Sequence, residues 1–184
     1  MANTNTDVVI VGTGIAGLTM ALELAPHCRV TVLSKRARDA GNTHWAQGGI
    51  AAAWAGEDSW QDHVQDTLVA GAGLCRREVV EAIVRDGRQR IQDLIDRGVA
   101  FDRKDDQPEE YDLHIEGGHS TRRVLHAKDA TGAEIVRALL AAVAEHPNIE
   151  VRERWMAVDV ITERWWMRRN GGLPPERDRA IGLY

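Results

Sequence analysis

Cysteine, long apolar runs and an excess of positive charge are all lacking in this sequence. Only 2 of the 184 residues are cysteines, Cys28 and Cys75, and neither has a partner at a metal-site or redox spacing, which favours free thiols and a cytoplasmic protein. No apolar run approaches the roughly 20 residues of a membrane span, and residues 1–7 lack the basic and apolar regions of a secretory signal. The net charge of -5 argues against nucleic acid or an anionic membrane as the main partner.

The strongest signal in the chain is a glycine-rich turn that follows a run of β-forming residues. Val8–Val11 leads directly into a G-x-G-x-x-G pattern, and an amphipathic helical pattern comes next. The pattern reads Gly12-Thr13-Gly14-Ile15-Ala16-Gly17. In a dinucleotide site Gly12 makes the tight turn, Gly14 lets the backbone approach a diphosphate, and Gly17 lets the helix pack closely on the strand. Because a helix N-terminus attracts phosphates, the pattern predicts a site for a diphosphate-containing ligand.

The hydrophobic pattern predicts an α/β fold. The length fits one domain, because a chain of this size can bury about 70% of its unfolded surface. The predicted elements are strands at 7–11, 29–33, 149–154 and 158–162, and helices at 15–25, from Ser59, from near Arg76, around 91–95 with Gly98 after the end, and from a capping box at 131–134. Residues 7–33 form a βαβ unit that begins a Rossmann-like parallel sheet. Such sheets usually have about four to six strands. The few visible here, and the apolar run at 181–184, predict a sheet that is incomplete at the C-terminus and a chain that is a fragment.

The residues after the second predicted strand depart from the dinucleotide fingerprint. An acidic residue about 20 positions after the glycines normally binds the ribose hydroxyls, whereas this chain has Ser34, Lys35 and Arg36. The basic pair is compatible with the 2′-phosphate of NADP, and equally with FAD in a family that uses serine and lysine here. These residues alone leave both cofactors open.

Two further segments carry groups that are suited to chemistry. Residues 41–55 are rich in glycine and alanine and would let backbone amides approach a flavin ring, with a low-complexity loop as the alternative. The second segment contains Glu116, Gly117, Gly118, His119, Ser120, Arg122, Arg123 and His126. Because arginine forks pair with carboxylates, this cluster suits a small anionic substrate, whereas any one of these residues by itself would more often be structural.

Several longer blocks at matched spacing resemble the N-terminal part of the L-aspartate oxidases, flavoproteins of the succinate dehydrogenase/fumarate reductase superfamily. The resemblance extends from Asp7 to about Asp159, and its blocks are residues 12–17, 33–35, 43–52, 66–73, 116–120 and 129–132. It implies the N-terminal part of an FAD-binding domain, in which the capping and C-terminal regions of the family are absent. The implied parts are a βαβ unit at 7–33, a flavin-lining segment at 41–55, a helical segment at 59–98 and a substrate-loop region at 112–132.

The resemblance also implies the residues of the site. Those expected to bind FAD are Gly12, Thr13, Gly14, Ile15, Ala16, Gly17, Lys35, Asn42, Thr43, His44, Trp45, Ala46, Gln47, Gly48 and Gly49. Those expected to bind substrate are Glu116, His119, Ser120 and Arg123, with the carboxylate of Glu116 on the substrate's amino group. Asn42 stands where succinate dehydrogenases and fumarate reductases have a histidine bonded to the flavin, so noncovalent FAD is expected. The family's proton-handling arginine and further substrate histidines lie beyond residue 184, so no catalytic residue is expected in this chain. No metal site is expected either.

The reaction that the resemblance implies is the oxidation of L-aspartate to iminoaspartate. Hydride passes to the flavin, which is reoxidised by oxygen or fumarate. The product would feed quinolinate and NAD biosynthesis, with quinolinate synthase as the expected partner. The 184-residue chain alone is expected to be inactive. Two alternatives stay open: a dehydrogenase like fumarate reductase or succinate dehydrogenase, against which Asn42 and Glu116 argue, and a non-catalytic, truncated FAD-binding product.

Overall fold

The computed structural model describes residues 6–184. Its elements in chain order are β1 (Val8–Val11), α1 (Ile15–Leu24), β2 (Val30–Ser34), β3 (Ile50–Ala51), α2 (Trp60–Ala70), α3 (Arg77–Asp96), β4 (Leu113–His114), β5 (Val124–Leu125), α4 (Thr131–Glu145), β6 (Ile149–Glu153), β7 (Val160–Thr162), α5 (Glu163–Arg169) and β8 (Ala180–Leu183). Most of the segment in which the sequence predicts no secretory signal, residues 1–7, lies outside the described residues.

A parallel sheet with the strand order β1-β2-β6 carries the first part of the chain. In its register Val8 lies beside Val30, and Val30 lies beside Ile149 on its other side. The predicted βαβ unit and the third predicted strand are therefore confirmed. The central strand β2 is mostly buried, whereas β1 is an edge strand of the described sheet and leaves Val9 and Val11 exposed.

The main hydrophobic core lies between three helices and a small antiparallel sheet. Helices α1, α3 and α4 contribute Leu18, Ile91 and Leu139, all of which are almost fully buried. The sheet has the order β3-β5-β4, and Leu125 at its centre pairs with Ile50 on one side and Leu113 on the other. β3 follows the predicted flavin-lining residues and β4 and β5 enclose the predicted substrate loop, so this sheet brings the two segments together.

The predicted helix ends are confirmed at two positions. Ser59 is the N-cap of α2, where its Oγ atom accepts a hydrogen bond from the backbone N–H of Asp62 at 3.0 Å. Gly98 follows the end of α3 with a φ of +91°, the left-handed conformation that favours glycine there. Between these points the structure differs from the prediction, because residues 77–96 form one continuous helix and not two.

The predicted capping box at 131–134 is wrong. Ala130 is the N-cap of α4, and the hydroxyl of Thr131 accepts a hydrogen bond from the N–H of Ala127 at 3.0 Å, outside the helix. The carboxylate of Glu134 accepts from the N–H of Ala100 at 2.8 Å, so it ties the helix to the preceding loop. Thr131 and Glu134 therefore do not cap each other, because Thr131 is engaged by the preceding turn and Glu134 by a residue 34 positions earlier.

The last part of the chain forms a hairpin around a short helix. The predicted strand at 158–162 corresponds to β7, which pairs antiparallel with β8. The intervening helix α5 was not predicted; its N-cap is Thr162, whose hydroxyl accepts from the N–H of Trp165 at 3.2 Å. None of the helices within residues 6–184 is long and apolar enough to cross a membrane.

Candidate cofactor and substrate site

The N-terminus of α1 has the features that a diphosphate requires. Gly12 has a φ of +110° and donates its N–H to the carbonyl of Leu33 at 2.8 Å, which joins the turn to β2. A Cβ at Gly17 would overlap the carbonyl oxygen of Gly12, so the close packing of helix on turn requires glycine. The N-cap Gly14 has no side-chain cap, and the first turn of α1 has no acidic residue. This positive helix end therefore fits a bound phosphate group.

Thr43 joins the predicted flavin-lining residues to this helix end. Its Oγ1 atom accepts a hydrogen bond from the N–H of Ile15 at 3.1 Å. A Cβ at Gly14 would stand 3.2 Å from the same oxygen, so a larger residue there would push the Thr43 side chain away by a few tenths of an ångström. On the other side, the carbonyl of Ala46 accepts from the N–H of Gly132 at 2.9 Å, in the first turn of α4. The flavin-lining residues are thus held between the N-terminal ends of two helices.

The predicted FAD-binding residues also include Thr13, Lys35, His44 and Trp45. Thr13 is buried, and its hydroxyl donates to the Oγ atom of Ser34 at 3.3 Å, at the end of β2. Lys35 follows in an exposed position. Trp45 is 73% exposed and stacks edge-on with His44, with 4.9 Å between ring centroids. Thr13 and Lys35 lie at the carboxyl end of β2, which is the end where ligands bind in parallel α/β sheets.

Glu116 lies beside the flavin-lining residues. A Cβ at Gly48 would stand 3.7 Å from its Oε1 atom. Glu116 is exposed, and the following turn includes Gly118 at a φ of +86° and a hydrogen bond of 3.2 Å from the N–H of His119 to the carbonyl of Glu116. The structure therefore brings the residue predicted to recognise the substrate's amino group to the predicted cofactor segment.

Arg123 occupies a different environment from the one that the sequence predicts. Its side chain is fully buried, and its Nε and Nη2 atoms each donate to the carboxylate of Asp58 at 2.9 Å. Its Nη1 atom donates to Asp66 at 2.6 Å. Because two edges of the guanidinium donate to carboxylates of the protein, we assign Arg123 a role in stabilising the fold and not in binding a substrate carboxylate.

Asp66 extends this ion-pair network to the predicted substrate loop. Its Oδ2 atom accepts hydrogen bonds from both the backbone N–H and the hydroxyl of Ser120, each at 2.8 Å. Burial acts to raise the pKa of Asp66, but the hydrogen bonds from Ser120 and Arg123 outweigh it and lower the pKa. The hydroxyl of Ser120 is therefore also engaged by the protein. The role of Asp58 and Asp66 was not predicted, because they stand 65 and 57 positions before Arg123 and no local pattern links them to it.

A pair of histidines lies next to this network. The rings of His63 and His119 are 5.5 Å apart, and the Nδ1 atoms of both are buried without a hydrogen-bond partner within the described residues. Burial lowers the pKa of His63, and the positive charge of Arg123 and the neighbouring His119 lower it further, against smaller opposing effects of Asp58 and Asp66. His63 is therefore expected to be neutral at neutral pH.

Acidification is expected to destabilise the protein through His63. Since the pKa of His63 is lower in the folded protein than its ordinary value of 6.5, stability is retained above pH 6.5 and lost as the pH falls below it. The melting temperature followed by circular dichroism should therefore fall less steeply between about pH 7.5 and 5.5 in His63→Gln than in the unaltered protein. His27→Gln, at an exposed position, is the control and should leave the slope unchanged. An equally steep fall in His63→Gln would contradict this assignment.

A cleft of about 920 Å³ lies beside the loop at 104–113. Its lining includes Trp54, Tyr111, Asp112 and Arg122. None of the residues that line it belongs to the predicted FAD-binding set. The cleft does, however, include Trp54 and Ala55 at the end of the segment 41–55 and Asp112, Leu113, Thr121 and Arg122 of the substrate-loop region.

Curated proteins that are similar to this chain include bacterial L-aspartate oxidases. The chain is 54% identical to the L-aspartate oxidase of Yersinia pestis over 180 residues, which are 97% of this chain and 33% of that protein. It is 48% identical to the L-aspartate oxidase of Pseudomonas aeruginosa over 183 residues, again 33% of the relative. The chain thus spans about a third of the length of these curated relatives. The resemblance noted from the sequence is confirmed.

Solved structures with the same fold come from the wider superfamily. The quinol fumarate reductase FrdA of E. coli matches with a TM-score of 0.78 at 28% identity, over 84% of this chain and 27% of that chain. Sdh1 of Mycobacterium smegmatis matches with a TM-score of 0.74 at 31% identity, over 85% of this chain and 28% of that chain. These matches confirm the predicted α/β fold with its parallel sheet.

The FAD binding domain family matches residues 7–175, which span both the glycine-rich turn and the candidate substrate loop. This match decides between the two cofactors that Lys35 and Arg36 leave open, in favour of FAD. With a diphosphate-compatible helix end, the predicted flavin-lining segment fixed to it and a family match over residues 7–175, the chain belongs to the FAD binding domain family.

Proposed function

We propose that this chain is the FAD-binding and substrate-recognising part of an L-aspartate oxidase. The observation that carries the proposal is the position of Glu116 next to Gly48, with a carboxylate that is exposed to an incoming ligand. A carboxylate in this position attracts an ammonium group, which L-aspartate has and succinate lacks. The curated L-aspartate oxidases among the relatives support the same substrate.

The residues of the chain divide into those that hold the cofactor and those that position the substrate. We assign the FAD diphosphate to the N-terminus of α1, the flavin to residues 42–49 and the adenosine ribose to the neighbourhood of Lys35. When bound, FAD supplies the two-electron chemistry that takes hydride from the substrate. Glu116 binds and orients the ammonium group, and His119 lies in the same turn. The network of Asp66 and Arg123 keeps this turn in place.

The electron acceptor in this proposal is oxygen or fumarate. The product, iminoaspartate, passes to quinolinate synthase in NAD biosynthesis. The proposal also places the protein in the cytoplasm, a reducing compartment, and the free thiols of Cys28 and Cys75 support this location.

Binding of L-aspartate to the FAD-loaded chain tests the proposal directly. The readout is the change in flavin absorbance as L-aspartate is added, which reports binding and does not require turnover. We expect L-aspartate to perturb the flavin and Glu116→Gln to raise its Kd by about 10- to 100-fold, the equivalent of one lost charged hydrogen bond. Glu109→Gln, in an exposed loop away from the flavin-lining residues, is the matched control and should not change the Kd.

A dehydrogenase like fumarate reductase or succinate dehydrogenase is the second candidate function. The similarity of the fold to FrdA and Sdh1 favours it. Under this alternative succinate or fumarate perturbs the flavin at least as strongly as L-aspartate, and Glu116→Gln has no effect on either. Saturable FAD binding without a response to any of these dicarboxylates would instead identify a non-catalytic FAD-binding product.

We also propose that FAD is bound noncovalently. Asn42 has an amide that does not act as a nucleophile, in contrast to the histidine that superfamily members use at this position. Precipitation of the FAD-loaded protein with acid is therefore expected to leave the flavin in the supernatant. Flavin fluorescence in the washed pellet would contradict the proposal and direct attention to His44, two residues farther along.

A further inference from the structure

Three potential metal ligands lie on one face of the antiparallel sheet. In its register Leu113 is opposite Leu125, so Asp112 and His126 stand opposite each other just outside the paired residues. His114 lies two positions after Asp112 and therefore on the same face of the strand. The strand pairing thus gathers two imidazoles and one carboxylate that are far apart in sequence.

The donor atoms are already near the spacing of a coordination sphere. The Oδ2 atom of Asp112 is 3.5 Å from Nε2 of His126 and 3.7 Å from Nε2 of His114. One ligand atom from each of the three residues falls within 4.8 Å of the others. Zinc bonds to nitrogen and oxygen of about 2.0–2.2 Å imply ligand separations of about 3.3 Å in a tetrahedral site. Shifts of a few tenths of an ångström would bring the carboxylate distances to this value. The half-exposed ring of His114 stacks on that of His126 with 3.6 Å between centroids, so it must also turn to aim its nitrogen at the same ion.

His126 is the buried member of the cluster. Only 9% of its side chain is exposed, and neither of its ring nitrogens makes a hydrogen bond within the described residues. Its Nδ1 atom faces the carboxylate of Asp102 at 3.3 Å, and the loop of Asp102 is fixed by a hydrogen bond of 2.8 Å to the carbonyl of His126. A carboxylate behind the ring is the usual support of a metal-binding histidine, because it holds the proton on Nδ1 and leaves the lone pair on Nε2. In this cluster that lone pair faces Asp112.

We propose that Asp112, His114 and His126 bind a divalent transition-metal ion, with Zn²⁺ as the best match. Two imidazoles with one carboxylate select such an ion over Mg²⁺ or Ca²⁺, which prefer all-oxygen sites. The half-exposed side chains of Asp112 and His114 leave the remaining coordination positions open to water. The metal would link His114 in β4 to His126, the residue after β5. His114 is two positions before Glu116, so the ion would fix the start of the candidate substrate loop. This site is independent of the proposed oxidase function.

Calorimetric titration of the purified chain with Zn²⁺ tests the proposal. We expect one ion per chain, with binding weakened at least tenfold in His114→Ala and in Asp112→Asn. Asp102→Asn replaces the carboxylate behind His126 by a neutral amide whose oxygen can still accept from the N–H of Lys128, and it should weaken binding by about 10- to 100-fold. His114 is half-exposed, so its variant is expected to fold, and circular dichroism of each variant checks this.

Two controls separate this site from other zinc-binding groups. His27→Ala, at an exposed position, should leave the affinity unchanged, and so should the combined replacement of Cys28 and Cys75 by serine. Co²⁺ in place of Zn²⁺ should give visible absorption without a thiolate charge-transfer band. No binding, or binding that the cysteine replacements abolish and His114→Ala does not, would overturn the proposal and leave His126 as a buried side chain between the carboxylates of Asp102 and Asp112. The same samples are also titrated with FAD. Unchanged FAD binding in a sample that does not bind Zn²⁺ shows that the cofactor site is intact and that only the metal proposal fails.

Discussion

Replacing Arg123 with alanine is expected to lower the free energy of unfolding by about 3–5 kcal/mol. The substitution leaves the carboxylate of Asp58, whose side chain is only 1% exposed, without its bidentate partner. An ion pair at this depth contributes little net stability over an apolar pair, but removing one member leaves an uncompensated buried charge. The loss should therefore greatly exceed that of an exposed arginine, and denaturant unfolding followed by circular dichroism measures it.

The neighbouring arginine provides the matched control. Arg122 is exposed and makes one hydrogen bond of 3.3 Å to the carbonyl of Leu113, so Arg122→Ala should change the free energy of unfolding by no more than about 0.5 kcal/mol. Removing Arg123 and Asp58 together, as Arg123→Met with Asp58→Leu, should cost less than Arg123→Ala alone, because the fully buried carboxylate of Asp58 is removed with its partner. Asp66 also loses Arg123, but its side chain is 16% exposed and it keeps both hydrogen bonds from Ser120. Equal losses in Arg122→Ala and Arg123→Ala would show that the network does not stabilise the fold.

The first part of the fold was predictable because its signals are local. The run of β-forming residues, the glycine pattern and the helical period of α1 follow each other within residues 7–33, and each depends only on its near neighbours. The same is true of the N-cap at Ser59 and of the left-handed glycine at Gly98. These features appear in the structure where the sequence places them.

The parts that were missed depend on contacts between distant residues. Strands β3, β4 and β5 have two residues each, too few for an alternating pattern to be visible. Glu134 has the spacing of a capping box but accepts from Ala100, 34 positions earlier, which no local pattern indicates. Arg123 was interpreted as a substrate ligand because exposed arginines recognise carboxylates, and only the fold shows that its carboxylate partners are internal.

The candidate site combines both kinds of information. The glycine pattern predicts the phosphate end, and the resemblance to L-aspartate oxidases supplied residues 42–49 and Glu116, but neither says how these segments are fixed. The structure adds that Thr43 is bound to the end of α1 and Ala46 to the start of α4. The geometry of the cofactor segment therefore depends on a residue outside the predicted set, Gly132.

Replacing Gly132 with alanine is expected to lower the free energy of unfolding by about 2–4 kcal/mol, as the sum of overpacking and a weakened hydrogen bond. A Cβ at this position would overlap the carbonyl oxygen of Thr43 and stand 2.9 Å from both Cβ and the carbonyl oxygen of Ala46. The closest of these atoms are backbone, so no rotamer change relieves the overlap. The predicted flavin-lining residues must move away from α4. This movement also displaces Thr43, whose hydroxyl accepts the hydrogen bond from the N–H of Ile15 in α1.

FAD affinity is the functional readout of this displacement. Titration of FAD fluorescence should give a Kd at least tenfold higher for Gly132→Ala than for the unaltered chain, a change of about 1.4 kcal/mol. Gly41→Ala is the matched control, because it lies at the start of the same segment and a Cβ there meets no atom within 4 Å. Its affinity should match that of the unaltered chain. An unchanged Kd in a folded Gly132→Ala protein would mean that α1 alone positions the cofactor segment, and that the contact with α4 stabilises the fold without shaping the FAD site.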